Sequence, residues 1–412
     1  MKKNILTNKI SIILLLQIIL IFLLQFETYS QNQIIKGIVV DSTTQKALRS
    51  AHIFIKETSI GTISNSSGLF RLVIPEQFQN NSICIQFLGY KTYEFLPQIK
   101  KKDFFTILLT PATFSLNQIE IIPLDPKKII LRSIDSIKVK FQTNPFISQI
   151  YYKEQITNNN KIVQQYEVVF DAYIEQIKKK RKVNSKFLKG RYFVDTNNIE
   201  YNIGFSGSSL LKYDPIFDFN TAVSVFNKHN FKKYKFSISD ISKSDDVIII
   251  SYEPIDKYKN KVSSGEIYID KKSYFPIRHD RDYTKLNKGK KLRMYKDCYS
   301  AKVLLRYSTQ TYFLHTNKYY LGHLSMIDQY KKQCTKDGQF EIFEHKTDII
   351  ATKIQTENVI EIPKEQQVKK GRLDKLIMEE CDSDYWEDYN IIEYEHSNLY
   401  KNNVDSLIYP TN

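Results

Sequence analysis

Apolar and polar residues alternate in short runs near the start of the chain. The runs cover residues 35–39, 51–55, 70–72, 83–87 and 105–109. A period of two places every second side chain on one face of a strand, so each run can bury one face. Turn-forming residues separate the runs, as between Asn65 and Gly68. About seven short strands within this segment predict a β-sandwich.

A helix is predicted soon after the sandwich. Asp125 can cap free backbone N–H groups, and Pro126 suits a first helical turn. Apolar residues then recur at helical spacing from Ile130 to Phe141. This pattern predicts an entry helix near residues 126–141 whose apolar side packs against a sheet.

Long alternating runs rich in tyrosine follow the helix. They cover residues 147–156, 163–174, 247–252, 266–270, 274–283, 292–307, 319–330 and 340–354. Short polar turns between such runs, for example at residues 158–160, predict an antiparallel and curved meander. The predicted fold class is therefore mainly β, with a sandwich followed by a β-rich domain that contains a few helices.

Several short motifs occur together in the predicted sandwich. They are Ile35-x-Gly37-x-Val39-x-Asp41, Ala47-Leu48, Ala51-x-Ile53, Gly61-Thr62, Gly68-x-Phe70, Phe87-x-Gly89-Tyr90 and Leu116-x-x-Ile119. Their order resembles the carboxypeptidase-regulatory-like domain of exported Bacteroidota proteins, a transthyretin-like sandwich. Ser64-Asn65 and Arg49-Ser50 depart from the family's usual turn residues. The resemblance implies an accessory module that carries no catalytic residues of its own.

Two shorter resemblances lie in the remainder of the chain. Residues 265–270 and 274–277 resemble the strand-turn-strand signature of half-barrel proteins related to periplasmic lipoprotein carriers. Residues 382–392 resemble the closing segment of Bacteroidota proteins that begin with the same regulatory-like domain. The only tryptophan, Trp386, lies there. Docking of Trp386 into the sheet is preferred over an aromatic ligand-contact patch, because Trp buries a large area and its N–H needs one partner.

The N-terminus has the three regions of an export signal. Three lysines precede an apolar core over residues 10–24, and Thr28 and Ser30 predict cleavage before Gln31. An uncleaved membrane anchor is the alternative. We therefore expect a signal peptide at 1–30, the sandwich at 31–122 and the β-rich domain with its Trp-containing tail at 123–412. The expected location is the periplasm or the outer membrane.

Composition narrows the choice of partners. The 412-residue chain has a net charge of +15, but its Lys and Arg residues are scattered among acidic ones. For an exported chain this pattern favours a solvated surface that faces lipid headgroups or glycans over nucleic acid. The four cysteines, Cys84, Cys298, Cys334 and Cys381, lack C-x-x-C spacing. Cys84 is predicted to be a small packed residue within a strand. A disulfide between Cys298 and Cys334 is an alternative to free thiols.

The sequence does not contain the catalytic or metal-binding motifs that we sought. The seven histidines show neither H-E-x-x-H nor H-x-x-E, and residues 204–208 miss G-x-S-x-G by one position. The run His279-Asp280-Arg281-Asp282 is predicted to form an exposed, salt-bridged strand, with His279 and Arg281 on one face and the two acids on the other. We therefore assign no catalytic, cofactor-binding or metal residues.

These observations favour an exported envelope protein that is not an enzyme and acts by binding or assembly. In the leading hypothesis the sandwich presents loops to an envelope protein, glycan or lipid, with no cofactor. One alternative is a carrier that holds an apolar or acyl ligand in a half-barrel. A second is a hydrolase with scattered acidic residues, since the separation of paired carboxylates is not visible in sequence.

Overall fold

A computed structural model describes most of the chain. It covers residues 32–97, 104–112, 125–177, 180–195, 225–239, 246–287, 300–333, 340–368, 376, 386 and 389–393. The predicted signal peptide, residues 204–208, Cys298, Cys334 and Cys381 lie outside the described residues. The described part is mainly β, as the sequence predicts. Within it, no helix is long and apolar enough to cross a membrane.

The N-terminal region contains seven described strands in two sheets. They are β1 (Gln33–Asp41), β2 (His52–Ile55), β3 (Gly61–Ile63), β4 (Leu69–Ile74), β5 (Ile83–Gln86), β6 (Tyr93–Phe95) and β7 (Phe104–Leu109). One sheet has the order β4-β1-β7 and the other β3-β2-β5-β6. The pairing of β1 with β7 is parallel, and the other pairings are antiparallel. The predicted sandwich is confirmed.

The sandwich core consists of the alternating apolar residues identified in the sequence. Ile53, Phe70, Leu72 and Ile85 are fully buried. Cys84 lies in β5 and is buried, which confirms its prediction as a packed strand residue. The sharp turn before β4 needs Gly68, because its φ is +77° and a Cβ there would meet the Val39 carbonyl oxygen at 2.5 Å.

The entry helix is confirmed as α1 (Pro126–Lys140). The Asp125 carboxylate accepts the backbone N–H of Lys127 at 2.9 Å, as expected for a cap. Ile130 and Ile137 are buried against the large sheet, and Phe141 follows the last turn. A four-residue helix, α2 (Thr284–Asn287), and three short 3-10 helices at Glu76–Phe78, Lys228–Lys233 and Asp256–Tyr258 complete the described helices.

The second region is one ten-stranded antiparallel sheet. Its strands are β8 (Phe146–Asn158), β9 (Lys161–Ile177), β10 (Lys180–Val194), β11 (Tyr234–Ile238), β12 (Val247–Pro254), β13 (Ser264–Asp270), β14 (Pro276–Asp282), β15 (Ser300–His315), β16 (Lys318–Gln333) and β17 (Glu341–Gln355). The order is β10-β9-β8-β17-β16-β15-β14-β13-β12-β11. Sheet neighbours are consecutive in the chain within two groups, β8 to β10 and β11 to β17, as predicted for a meander. The pairing of β8 with β17 joins the two groups.

The two faces of this sheet have different neighbours. Helix α1 packs on one, which we call the helix-covered face. The sandwich, Trp386 and residues 389–393 contact the opposite one, which we call the docking face. Successive strand residues point to opposite faces, so Tyr151 joins the cluster around Trp386, whereas Tyr152 lies on the helix-covered face.

Candidate ligand-binding site

Two apolar clusters occupy the helix-covered face. The first lies under α1 and includes Ile130, Ile250, Ile267 and Phe275. The second lies farther along the same face, and its members come from β8, β9, β16 and β17. They are Tyr152, Tyr166, Val168, Phe170, Ala172, Leu324 and Ile349. Leu321 packs against both clusters, so the apolar surface is continuous across the sheet.

A polar group is buried at the edge of the first cluster. Its members are Tyr234, Tyr252, His279, Arg281 and Tyr283, which we call the arginine-tyrosine cluster. The Tyr252 hydroxyl and His279 Nε2 are 2.9 Å apart, and Arg281 donates to the Tyr283 hydroxyl at 2.9 Å. Arg281 Nε lies 3.2 Å from His279 Nδ1. These contacts place one guanidinium and three phenol groups together beside apolar side chains.

Burial shifts the pKa values of Tyr234, Tyr252 and His279 in this cluster. It raises the pKa of Tyr234 to about 12 and raises that of Tyr252 further, although the charge of Arg281 acts in the opposite direction on both. Burial, and then the charge of Arg281, hold the pKa of His279 well below its ordinary value. At neutral pH Tyr234 and Tyr252 are therefore protonated and His279 is uncharged.

A glycine makes room for this arrangement. Gly265 lies opposite Arg281 in the pairing of β13 with β14. A Cβ at Gly265 would meet the Asp280 carbonyl oxygen at 2.0 Å and the Tyr252 hydroxyl at 2.6 Å. The absent side chain lets the Tyr252 hydroxyl pass over β13 and reach His279.

The second apolar cluster also has a polar neighbour. The Glu154 carboxylate is buried, accepts the Tyr152 hydroxyl, and lies 2.6 Å from His345 Nε2. Nearby, Arg306 holds Asp328 through two N–H donors at 2.7 and 3.0 Å. In this network the two acids, Glu154 and Asp328, each accept a hydrogen bond from a neighbouring side chain.

Trp386 docks into the sheet, which confirms the preferred sequence interpretation. Its side chain is 4% exposed and packs with Tyr151, Val169 and Ile350. The Arg191 guanidinium lies 4.4 Å from the centre of the indole ring, a cation-π geometry. The indole N–H has no hydrogen-bond partner within the described structure, contrary to the expectation of one partner.

Residues 389–391 of the tail also form hydrogen bonds with the sandwich. Arg71 donates to the Tyr389 carbonyl at 2.7 Å, and the Val73 backbone N–H donates to the Asn390 side-chain oxygen at 2.7 Å. Thr62 donates to the Ile391 carbonyl at 3.0 Å. Residues 389–393 therefore bind strands β3 and β4 while Trp386 is held by the large sheet. The tail connects the two regions by backbone and side-chain bonds.

A charged group lies where the sandwich meets the docking face. His323 Nε2 and Asp348 Oδ1 are 2.9 Å apart, and Arg49 of the sandwich approaches Asp348 at 3.9 Å. Burial alone would raise the pKa of Asp348, but the His323 hydrogen bond and neighbouring cations lower it. Burial and then the charge of His323 lower the pKa of His52 to about 4.

The prediction for residues 279–282 is half right. His279 and Arg281 do share one face, and Asp280 pairs with Arg278 at 2.8 Å on the other. The expected exposure is wrong, because His279, Asp280 and Arg281 are at most 6% exposed. Phe226 packs edge-on against His279 on one face of β14, and Arg278 covers the Asp280 carboxylate on the other. Sequence reasoning missed the cluster because Tyr234, Tyr252 and Arg281 come from three separate strands.

Comparison with known proteins assigns the first region. Residues 35–121 match the model of the CarboxypepD_reg-like domain. This match supports the resemblance seen in the sandwich motifs, and the large sheet lies outside the matched regulatory-like domain. No curated protein matches the chain.

Three solved structures resemble this chain weakly. A putative outer membrane lipoprotein-sorting protein domain from Vibrio parahaemolyticus is 11% identical, with a TM-score of 0.29, covering 57% of this chain and 95% of that one. A DUF1329 family protein from Desulfovibrio piger is 10% identical, with a TM-score of 0.26 and coverages of 58% and 96%. Lipovitellin is 10% identical, with a TM-score of 0.26 and coverages of 56% and 27%. No functional conclusion rests on these likenesses.

Proposed function

We propose that the protein is an exported cell-envelope protein that binds an apolar ligand on the helix-covered face of its large sheet, without catalysing a reaction. The observation that carries the proposal is the continuous apolar surface formed by the two clusters and Leu321. Ligand sites in proteins are mostly apolar with a few placed polar groups, and this face has that composition. The proposal favours the carrier alternative over the leading sequence hypothesis.

Helix α1 is the element that can give access to this face. Its polar contacts with the sheet come from side chains: Ser136 donates to the Ser273 carbonyl at 2.7 Å, and Arg132 donates to the Tyr274 hydroxyl at 2.9 Å. Lys318 donates to the Val139 carbonyl at 2.8 Å. Separation of α1 would break these contacts and leave the strand ladder intact.

Ligand extraction tests the proposal directly. Protein purified from the envelope is extracted with organic solvent and analysed by mass spectrometry, and the extracted protein is titrated with the neutral probe N-phenyl-1-naphthylamine. We expect a co-purified amphiphile and saturable probe binding. Absence of saturable binding to the extracted, folded protein would overturn the proposal.

A matched pair of variants locates the binding face. Leu321→Trp adds bulk between the two apolar clusters, whereas Leu314→Trp adds the same bulk at a site that is 56% exposed. We expect at least tenfold weaker probe binding for the first variant and no change for the second. Equal binding by both variants would place the ligand elsewhere. Thermal unfolding of each variant shows whether it is folded.

A scaffold function is the second candidate, and it has its own observation. The edge strands β6 and β7 expose Tyr93, Phe104 and Leu108, and Leu96 just after β6 is also exposed, while β3 and β4 are occupied by the docking contacts. A photo-reactive side chain at Phe104 should then cross-link one envelope protein in cells, and one at Ile360 should not. Equal labelling at both sites would remove the support for this candidate.

Export itself is tested at the N-terminus. Protein from the native envelope is expected to begin at Gln31, because residues 1–30 have the charge, apolar core and small residues of a signal. Retention of residues 1–30 would favour the membrane-anchor alternative.

A further inference from the structure

We propose that one end of the large sheet is a membrane-contact surface that binds bilayers containing anionic phospholipid. We call this end the sheet tip and define it by Lys302 and Leu304 of β15, Lys331 of β16, Ile342 of β17, and Phe340, which directly precedes β17. The inference goes beyond ligand binding and does not depend on it, because the tip residues belong to neither apolar cluster of the helix-covered face.

The sheet tip exposes three large apolar side chains. Leu304 is 43% exposed, and Phe340 and Ile342 are each 48% exposed. One residue separates Phe340 from Ile342, so both point to the same side of the chain where it enters β17. Single exposed apolar residues are common on protein surfaces, whereas several at one place mark a contact with another molecule or with a membrane.

Two lysines lie among these apolar side chains. In the sheet, Lys331 is opposite Ile342 on one side and opposite Lys302 on the other, so the three residues are direct neighbours on one face. The Lys331 ammonium lies 4.1 Å from the centre of the Phe340 ring. Within the described residues, neither Lys302 nor Lys331 forms an ion pair with an acid. The tip therefore combines exposed apolar groups with positive charge.

The sheet tip projects away from the sandwich. Strand β14 pairs with β15 only over residues 307–311, so the first residues of β15, including Lys302 and Leu304, extend past the end of β14. The sandwich contacts β17 at Asp348 and Ile354. Ile342 lies about 20 Å from Asp348 along β17, at ~3.3 Å per residue. The described part of the sandwich therefore leaves this end of the sheet accessible.

The composition of the tip fits a bilayer better than a protein partner. Lysine is depleted in protein–protein interfaces. At a membrane surface, the ammonium groups reach the lipid phosphates while the lysine stems and apolar side chains enter the boundary layer. Each lysine near an anionic surface strengthens binding about fivefold. The acid that follows Ile342 on the same face, Glu344, accepts the Gln329 side-chain amide at 2.7 Å. The net charge of +15 adds long-range attraction.

Vesicle binding tests the proposal with protein purified from the envelope and freed of ligand. Sedimentation measures the fraction bound to vesicles of phosphatidylcholine alone and to vesicles of equal parts phosphatidylcholine and phosphatidylglycerol. We expect about tenfold or more tighter binding to the mixed vesicles at low salt. High salt should reduce the difference, because it screens charge. Equal binding to both vesicles, or no binding to either, would overturn the proposal.

Two double variants assign the binding to the tip. Lys302→Gln combined with Lys331→Gln should remove most of the preference for the mixed vesicles. Phe340→Ser combined with Ile342→Ser should weaken binding to the mixed vesicles by about tenfold or more, because less apolar area enters the bilayer. Thermal unfolding shows whether each variant is folded.

Matched controls change the same chemistry elsewhere. Lys259→Gln combined with Lys364→Gln removes the same charge from two exposed sites, and Leu314→Ser combined with Ile360→Ser removes apolar side chains that are 56% and 75% exposed. Both controls should bind vesicles as the wild-type protein does. Residues 1–30, if retained, act equally in every variant. Weakening by the controls as large as that by the tip variants would overturn the assignment.

Quenching by brominated phosphatidylcholine tests contact at the tip directly, and decides the question if a double variant does not fold. The emission added by Phe340→Trp should be quenched on mixed vesicles that contain this lipid, whereas the emission added by Leu314→Trp should not. Equal quenching in both variants would overturn the proposal. If the tip variants abolish self-association on gel filtration and leave vesicle binding unchanged, the tip is instead an interface between copies of the chain.

Discussion

The two faces of the large sheet use charge in different ways. On the docking face Glu167 accepts the Tyr151 hydroxyl at 2.9 Å and contacts Arg191 and Lys153, beneath the docked Trp386. Asp348 lies where the sandwich meets the docking face, a contact that we call the joint, and is likewise surrounded by cations. On the helix-covered face, Arg281 lies among tyrosines and a neutral histidine. Paired charges are typical of a structural joint, whereas the arginine-tyrosine cluster buries a Tyr234 hydroxyl that has no hydrogen-bond partner within the described structure.

Alternation along a strand places residues of the joint and residues of the apolar surface on opposite faces of the same strands. Tyr151 and Tyr152 are consecutive and both almost fully buried, yet one supports the joint and the other faces the apolar surface. The same strands therefore carry both roles on opposite sides. Substitutions on the docking face should change stability, and substitutions among the apolar residues of the helix-covered face should change binding.

The largest expected effect is at Trp386. Trp386→Ala should lower the free energy of unfolding by about 3–5 kcal/mol, because it leaves a cavity among Tyr151, Val169 and Ile350. Chemical denaturation measures the change, and Trp386→Phe should lose less. As the only Trp, Trp386 should also emit at blue-shifted wavelengths. A change below about 0.5 kcal/mol with exposed-type emission would show that the tail is not docked.

The buried acid of the joint should be nearly as important. Asp348→Ala leaves His323 without its 2.9 Å partner and is expected to cost about 3 kcal/mol. Asp328→Ala is the matched control, because the side chains of Asp328 and Arg306 are about one third exposed and such pairs contribute about 1 kcal/mol or less. Similar losses in both variants would contradict the distinction between joint and surface.

Acid should weaken the joint through His52. Burial lowers its pKa from 6.5 to about 4, so the unfolded chain binds a proton that the folded chain resists. Stability is therefore complete above about pH 6.5 and falls as pH drops towards 4, by up to about 3 kcal/mol. Unfolding at several pH values should show this slope, and His52→Phe should reduce it. An unchanged slope in that variant would assign the effect to other groups, such as His279.

A smaller effect is expected at Gly265 on the helix-covered face. Gly265→Ala places a methyl group against the Asp280 carbonyl and the Tyr252 hydroxyl, and should cost about 1–3 kcal/mol through displaced backbone. Gly89→Ala is an informative comparison, because nothing lies within 4 Å of a Cβ there and only its φ of +85° opposes the change. Unaltered stability and ligand affinity in Gly265→Ala would show that Tyr252 does not depend on this gap.

The smallest effect on stability is expected at Tyr234. Tyr234→Phe removes a hydroxyl that has no partner in the described structure, so the free energy of unfolding should stay within about 1 kcal/mol or rise slightly. A large loss of stability would show that the hydroxyl has a structural role.

The sequence by itself determined the local elements. The period of two along most strands, and the Asp125 cap before the apolar stripe of α1, were sufficient for the sandwich, the helix and most long strands. Four described strands lie outside the predicted runs: β3, β6, β10 and β11. Strands β3 and β6 have three residues each, β11 has five, and β10 is rich in lysine; all four pair with a neighbouring strand.

Only the tertiary structure determined which distant residues become spatial neighbours. Pairing of β8 with β17, the tail between the sandwich and the sheet, and the meeting of Tyr234, Tyr252 and Arg281 all join residues that are distant along the chain. Alternation fixes the face of a residue but not the partner strand or the element that covers it. For this reason the sequence correctly placed His279 and Arg281 on one face, and wrongly expected that face to be exposed.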